Sequence, residues 1–235
     1  MRRTLLALVA LGSILAACTP AGTTSSERVE VEQLTEPITY YPYQTGARWQ
    51  YLPDGARLSD PTTALVVEGP TIVDNEVWLS WHMRGRGLDQ RSYRQVRGDG
   101  VFLKQEERLG TVFTFDPPLQ EYPPQSQMRV GAQWRGTTTV HMSAEEGKQQ
   151  RDLVIDYVYT VVDQRSVNVP AGAFDVFVID FTTRTTDENG TVTEELTQQS
   201  WFAPYVGEVR TRNGHVLVDS NVVPEDREGE ADGGS

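Results

Sequence analysis

Apolar and polar residues alternate along short runs of this chain, and turn-forming residues separate the runs. Across residues 76–83, Val77, Leu79, Trp81 and Met83 fall on one side, and Glu76, Ser80 and His82, with Trp78, on the other. A period of two marks a half-buried strand. In residues 174–181, Phe177, Ile179 and Phe181 alternate with Phe174, Val176 and Val178. That strand is expected to be covered on both faces and, with residues 151–163, to form the centre of the sheet. Asp54-Gly55, Asp74-Asn75, Asp99-Gly100, Asn189-Gly190 and Asn213-Gly214 each lie between two such runs. These pairs supply the positive-φ residues that tight hairpins need. Residues 206–212 and 215–221 flank the last pair as a final hairpin, and no window shows a convincing helical face of three turns.

The pattern predicts a mainly β fold: an antiparallel, strongly curved sheet or open barrel, with few or no helices. A two-sheet sandwich is the alternative, since it too covers a strand on both faces. A curved sheet has a concavity, and Trp78, Trp81, Trp134, Phe177, Phe181 and Trp201 are its candidate ligand-contact residues. The same aromatics would serve equally in a solid core. A short internal echo accompanies the strands. Tyr43-Gln44-Thr45-Gly46-Ala47-Arg48-Trp49 resembles Met128-Arg129-Val130-Gly131-Ala132-Gln133-Trp134, each following a proline-containing approach. It points to two similar halves meeting near residues 117–124.

The ends of the chain read differently. Met1-Arg2-Arg3 precedes an apolar run that closes on Leu15-Ala16-Ala17-Cys18, and Cys18 is the one cysteine among 235 residues. A charged start, a short apolar stretch and small residues make a secretory signal peptide over residues 1–17. The stretch is too short to cross ~30 Å of hydrocarbon as a helix. Residues 18–39 follow as a tether rich in small polar residues, then the β domain over 40–222. Residues 223–235 form an acidic tail with too little apolar content to pack.

Leu-Ala-Ala-Cys resembles the lipobox of bacterial lipoproteins, which implies acyl chains on Cys18, a membrane as partner, and a place in the bacterial cell envelope. Thr19 at the next position resembles outer-membrane sorting. A second resemblance rests on three motifs in order: Tyr-Pro-Tyr-Gln-Thr-Gly-Ala-Arg-Trp from Tyr41, Val-Pro-Ala-Gly-Ala-Phe from Val169, and Trp-Phe-Ala-Pro-Tyr-Val-Gly-Glu-Val from Trp201. The set is similar to one in uncharacterised bacterial envelope proteins. It implies a curved antiparallel sheet similar to lipoprotein-carrier half-barrels, and it carries over no catalytic residues. Tyr205 stands where that pattern has glycine, which puts the positive-φ geometry of that turn in question.

Charge and chemistry narrow the function classes. A formal charge of −12 argues against nucleic acid, which needs a basic footprint. Residues 84–108 run against that balance, with Arg84, Arg86, Arg91, Arg94 and Arg97 as candidate contacts for an anionic partner, such as peptidoglycan carboxylates or lipid head groups. Pairing of these charges across strands is the plainer expectation. His82-Met83 and His141-Met142 bring to mind copper ligands, but neighbours on a strand point to opposite faces, so no metal or other cofactor is expected. No Gly-x-Ser-x-Gly elbow, phosphate loop or singled-out carboxylate pair is present, and His215 lies just past a hairpin turn. The reading is a non-catalytic, membrane-anchored binding or scaffolding module, holding a hydrophobic ligand. The alternative is an assembly protein contacting an envelope protein or peptidoglycan, and an unrecognised hydrolase stands third.

Overall fold

The computed structural model describes residue 34 and residues 37–144, 150–186 and 191–222. The signal peptide, Cys18, most of the tether, Asn189-Gly190 and the acidic tail lie outside the described residues. Twelve strands appear in chain order: β1 (Arg48–Pro53), β2 (Thr63–Val73), β3 (Glu76–Gly85), β4 (Leu88–Arg97), β5 (Gly100–Arg108) and β6 (Thr111–Tyr122), then β7 (Gln133–Ala144), β8 (Gln150–Val169), β9 (Gly172–Thr186), β10 (Val192–Ala203), β11 (Gly207–Arg210) and β12 (His215–Ser220). One short 3-10 turn spans Gln125–Gln127. Each strand pairs antiparallel with the next, and β1 pairs with β12, so the sheet closes into a barrel instead of staying open. Closure removes both exposed edges.

Strand direction alternates around the barrel, so one rim gathers the start of β1, the end of β12 and the β2–β3, β4–β5, β6–β7, β8–β9 and β10–β11 connections. Two contacts tie the approach to β1 onto that rim: Tyr205 N–H donates to Tyr40 O at 3.0 Å, and Tyr41 OH donates to Pro123 O at 2.5 Å. Packing begins before residue 40, because Leu34 and Ile38 lie against the core and Gln44 donates to Pro37 O.

Asp74 and Asn75 both take positive φ, at 50° and 65°, in the tight β2–β3 turn. The β4–β5 turn falls one residue earlier than the Asp99-Gly100 signal, on Gly98-Asp99, and Gly100 already begins β5. Pro170-Ala171 turns β8 into β9, so the Val-Pro-Ala-Gly segment joins these two strands. Tyr205 holds φ at 64°, so the turn keeps its left-handed residue without glycine there. Residues 117–122, where the halves were expected to meet, are the last part of β6.

The core has two clusters. One holds Trp134, Tyr157, Tyr159, Phe177, Ile179, Phe181 and Phe202; the other holds Trp49, Tyr51, Val67, Phe174, Val176, Val178 and Leu217. Alternate residues of β9 therefore enter different clusters, as its two-faced apolar pattern predicts. β3 is also covered on both faces, and its best buried residues are Trp78, Ser80 and His82, on the more polar side.

Candidate functional site

A cavity of about 120 Å³ lies inside the barrel. β1 contributes Trp49 and Tyr51, β2 Leu65, β3 Trp81 and Met83, and β4 Gln90, Ser92, Arg94 and Val96. β6 contributes Glu121 and Tyr122, β10 Phe202, β11 Gly207 and Glu208, and the β11–β12 turn Arg212. Trp49 and Trp81 stack at 5.6 Å between ring centroids, with 6° between planes. Trp49 Nε1 donates to Val206 O at 2.6 Å, which fixes the ring against Gly207. Gly207 has φ of 100°, a conformation that favours glycine, and a Cβ there would stand 3.3 Å from Trp49 Nε1, a tight approach.

A charged cluster forms part of this wall. Arg94 Nε donates to Glu121 Oε2 at 2.5 Å and Arg94 Nη2 to Glu121 Oε1 at 3.2 Å, while Arg94 Nη1 donates to Ser92 Oγ. From the opposite side, Arg212 Nη2 donates to Glu121 Oε1 at 2.9 Å and Arg212 Nη1 to Tyr159 OH at 3.3 Å. Phe181 lies beneath Arg212, with the guanidinium carbon 4.8 Å from the ring centre, and Trp81 lies 5.2 Å from that of Arg94. Burial would raise the Glu121 carboxyl, but the two guanidiniums outweigh it and hold it below the usual carboxylate range. Glu208, also lining the cavity, goes the other way. Burial pushes its carboxyl up, against the pull of Arg212 and a 3.0 Å hydrogen bond from Tyr122 OH.

Of the six aromatics expected to contact a ligand, Trp81 alone lines this cavity. Trp78 lies on the outer side of β3, 5.7 Å beneath the Arg97 guanidinium. Trp134 stacks on Tyr159 at 5.1 Å, and Phe181 lies 4.3 Å beyond Tyr159. Phe177 pairs with Phe202 in the same filled cluster. Trp201 is held between the guanidiniums of Arg165 and Arg210, at 5.5 and 5.2 Å. The alternation of apolar residues places a ring on a face; whether that face is filled or hollow depends on strands elsewhere in the chain.

The five arginines are likewise dispersed. Arg94 is in the cavity wall. Arg91 donates to Glu68 at 3.2 Å on the outer face, and Glu68 also accepts from Ser80 Oγ and lies 2.8 Å from His82 Nδ1. The other His82 nitrogen lies 2.7 Å from Asp89. Arg97 covers Trp78 and Phe102, Arg86 donates to Pro61 O at 3.0 Å, and Arg84 pairs in register with Asp89. Glu121, Glu208 and Arg212 were not read as site residues. The signal for Glu121 was present: it follows Leu119 at a period of two on the buried side of β6, and a charge on an apolar face needs an explanation.

No protein-family model matches the chain, and no curated protein does. Three solved structures are similar to it. The hypothetical lipoprotein YmcC from Escherichia coli K12 has a TM-score of 0.39 and 10% identity, over 77% of this chain and 86% of that one. A Bacteroides fragilis protein classed as exported, with a YmcC-like fold, has a TM-score of 0.43 and 16% identity, over 78% and 99%. A Parabacteroides distasonis protein classed as a lipoprotein has a TM-score of 0.38 and 14% identity, over 79% and 99%.

Proposed function

We propose that this barrel is the binding body of a non-catalytic envelope lipoprotein, anchored through acyl chains on Cys18 and holding a small apolar ligand inside the barrel. The observation that carries the reading is the cavity: aromatic and aliphatic walls from many strands, with a few converging polar groups, are the usual make-up of a ligand site. Its volume limits the occupant. An apolar cavity of about 150 Å³ accommodates one benzene ring, so about 120 Å³ allows nothing larger than a single ring or a short branched chain.

The test uses the full chain with Cys18→Ser. Toluene is expected to shift the indole N–H signals of Trp49 and Trp81 and to leave that of Trp134 in place. Indole signals indifferent to toluene would remove the binding reading. The anchor has its own check: Cys18→Ser is expected to move the protein from the membrane fraction to the soluble one, and continued pelleting would sink that part.

A further inference from the structure

The cavity wall holds two guanidiniums, one carboxylate shared between them, and a second carboxyl, Glu208, at its edge. Neither arginine is saturated by these bonds. Each Nη carries two hydrogens and donates one of them in the contacts above, and Arg212 Nε has no partner among the described residues. The side chains of Arg94 and Arg212 keep 17% and 25% of their surface open while lining the cavity. Trp81 Nε1, on the same wall, is a buried donor without a partner among the described residues.

We infer that the cavity binds a compact carboxylic acid as its anion, with the head group on Arg94 and Arg212, and that Glu208 takes a proton from solvent as the ligand enters. The inference rests on the binding reading above and adds the ligand class. Glu121 shows the geometry that such a head group would copy, since it already occupies one edge of each guanidinium. Charge balance selects a monoanion. With Glu121 ionised and Glu208 neutral, the cluster carries one uncompensated positive charge, which a carboxylate cancels and a doubly charged phosphate overshoots. A net charge in a low-dielectric interior is costly, so the anion and the Glu208 proton are expected to arrive together.

The groups facing Glu208 come from several elements. Tyr51 on β1 donates to its backbone carbonyl at 2.9 Å, and Tyr122 on β6 donates to its carboxylate. Arg212, Glu121 and Arg94 act on it through space, as it does on Tyr159 of β8. The tyrosines lie far above their ordinary range through burial and Glu121 is held below its own, which leaves Glu208 as the group of this set to take up the proton. Burial, which disfavours its charged form, acts in the same direction.

The probes are benzoate, its neutral analogue benzamide, and toluene, titrated into the full chain with Cys18→Ser. Benzoate is expected to bind at least about tenfold tighter than benzamide, and its affinity to fall toward tenfold per pH unit across the Glu208 titration, the limit for one linked proton. Glu208→Gln is expected to flatten that slope. Glu121→Gln frees both guanidiniums and is expected to tighten benzoate about tenfold, a gain that damage to the fold would not produce. Arg212→Gln is expected to lose benzoate and keep toluene. Equal binding of benzoate and benzamide, with toluene still bound, would overturn the head-group assignment and leave the cavity reading intact. A pH-independent benzoate affinity in the parent chain would overturn the proton coupling. Failure of toluene to bind, whatever the other two do, would remove the binding reading itself.

Discussion

The two halves of the barrel use one backbone device and fill it differently. Just ahead of β1 the Gly46 N–H donates to Val67 O, and Val67 N–H donates back to Ala47 O, each at 2.9 Å. Just ahead of β7 the Gly131 N–H donates to Val161 O at 2.8 Å, and Val161 N–H donates to Ala132 O at 2.9 Å. A register shift follows each valine, between Val67 and Gly69 in one half and between Val161 and Asp163 in the other. Each tryptophan then donates its indole N–H to a backbone carbonyl, Trp49 to Val206 and Trp134 to Gln120. The three-letter echo in the sequence thus marks a shared hydrogen-bonding unit that opens each run of six strands.

Side-chain size separates the halves. Two residues before the valine stands Leu65 in one half and Tyr159 in the other. Opposite the valine stand Trp81 and Ile179 respectively. Trp134 therefore stacks on Tyr159, its neighbour on β8, with Phe181 beyond, and that side is filled. Trp49 stacks on Trp81, and Leu65 leaves room that becomes the cavity. Leu65 lines the cavity, and its counterpart Tyr159 carries the stacked rings of the other half.

Five changes test this contrast. Trp134→Ala is expected to cost about 3–5 kcal/mol in urea unfolding, as deletion of a packed indole does. Trp49→Ala should fall at the lower end of that range, because one side of its ring already faces space. A greater loss at Trp49 would reverse the contrast.

Next comes Glu121→Ala, at about 3 kcal/mol or more, because it leaves two guanidiniums in the wall unpaired. The same carboxylate sets an acid limit. Its folded-state value lies below the unfolded one, near 4.5, so its contribution is present above that pH and declines as pH falls through the folded value. In Glu121→Ala that part of the acid-side decline should be missing. An unchanged acid profile would show that Glu121 is not held as an ion.

Leu65→Phe copies the large residue of the other half. It is expected to raise stability by about 1 kcal/mol by filling space, and to abolish the toluene shift. A variant that gained stability and still bound toluene would place the ligand elsewhere. The smallest effect is expected at the bulge, where Glu68 corresponds to Val162. Glu68→Val removes a partly exposed ion pair and should change stability by less than about 1 kcal/mol. A larger loss would mean that the outer Ser80–His82–Arg91 network supports the barrel.

Much of the fold was legible because antiparallel strands declare themselves locally. Turn pairs and period-two runs placed most of the strands, and the two-faced reading of β9 follows from residues 174–181 alone. Turns without Asn or Asp escaped. Arg86 and Leu109 take positive φ, at 54° and 50°, each ahead of a glycine, and neither residue type announces that conformation. The site was legible in fragments. Arg94 and Trp81 were singled out, but Glu121, Glu208 and Arg212 lie on β6, β11 and the turn before β12, far along the chain from β4. Alternation gives the face of each residue; only closure of the sheet brings those faces together.

That closure has a consequence for how the protein is made. Arg48 N–H bonds to the Asn221 side chain, 173 residues away, across the β1–β12 seam. The first strand therefore has no partner on one side until the last has been delivered, and an unfinished chain exposes two sticky borders throughout its synthesis. A helper that shields nascent β structure would have its greatest effect on those borders, and a chain cut short before β12 would lose its latch along with its final strand.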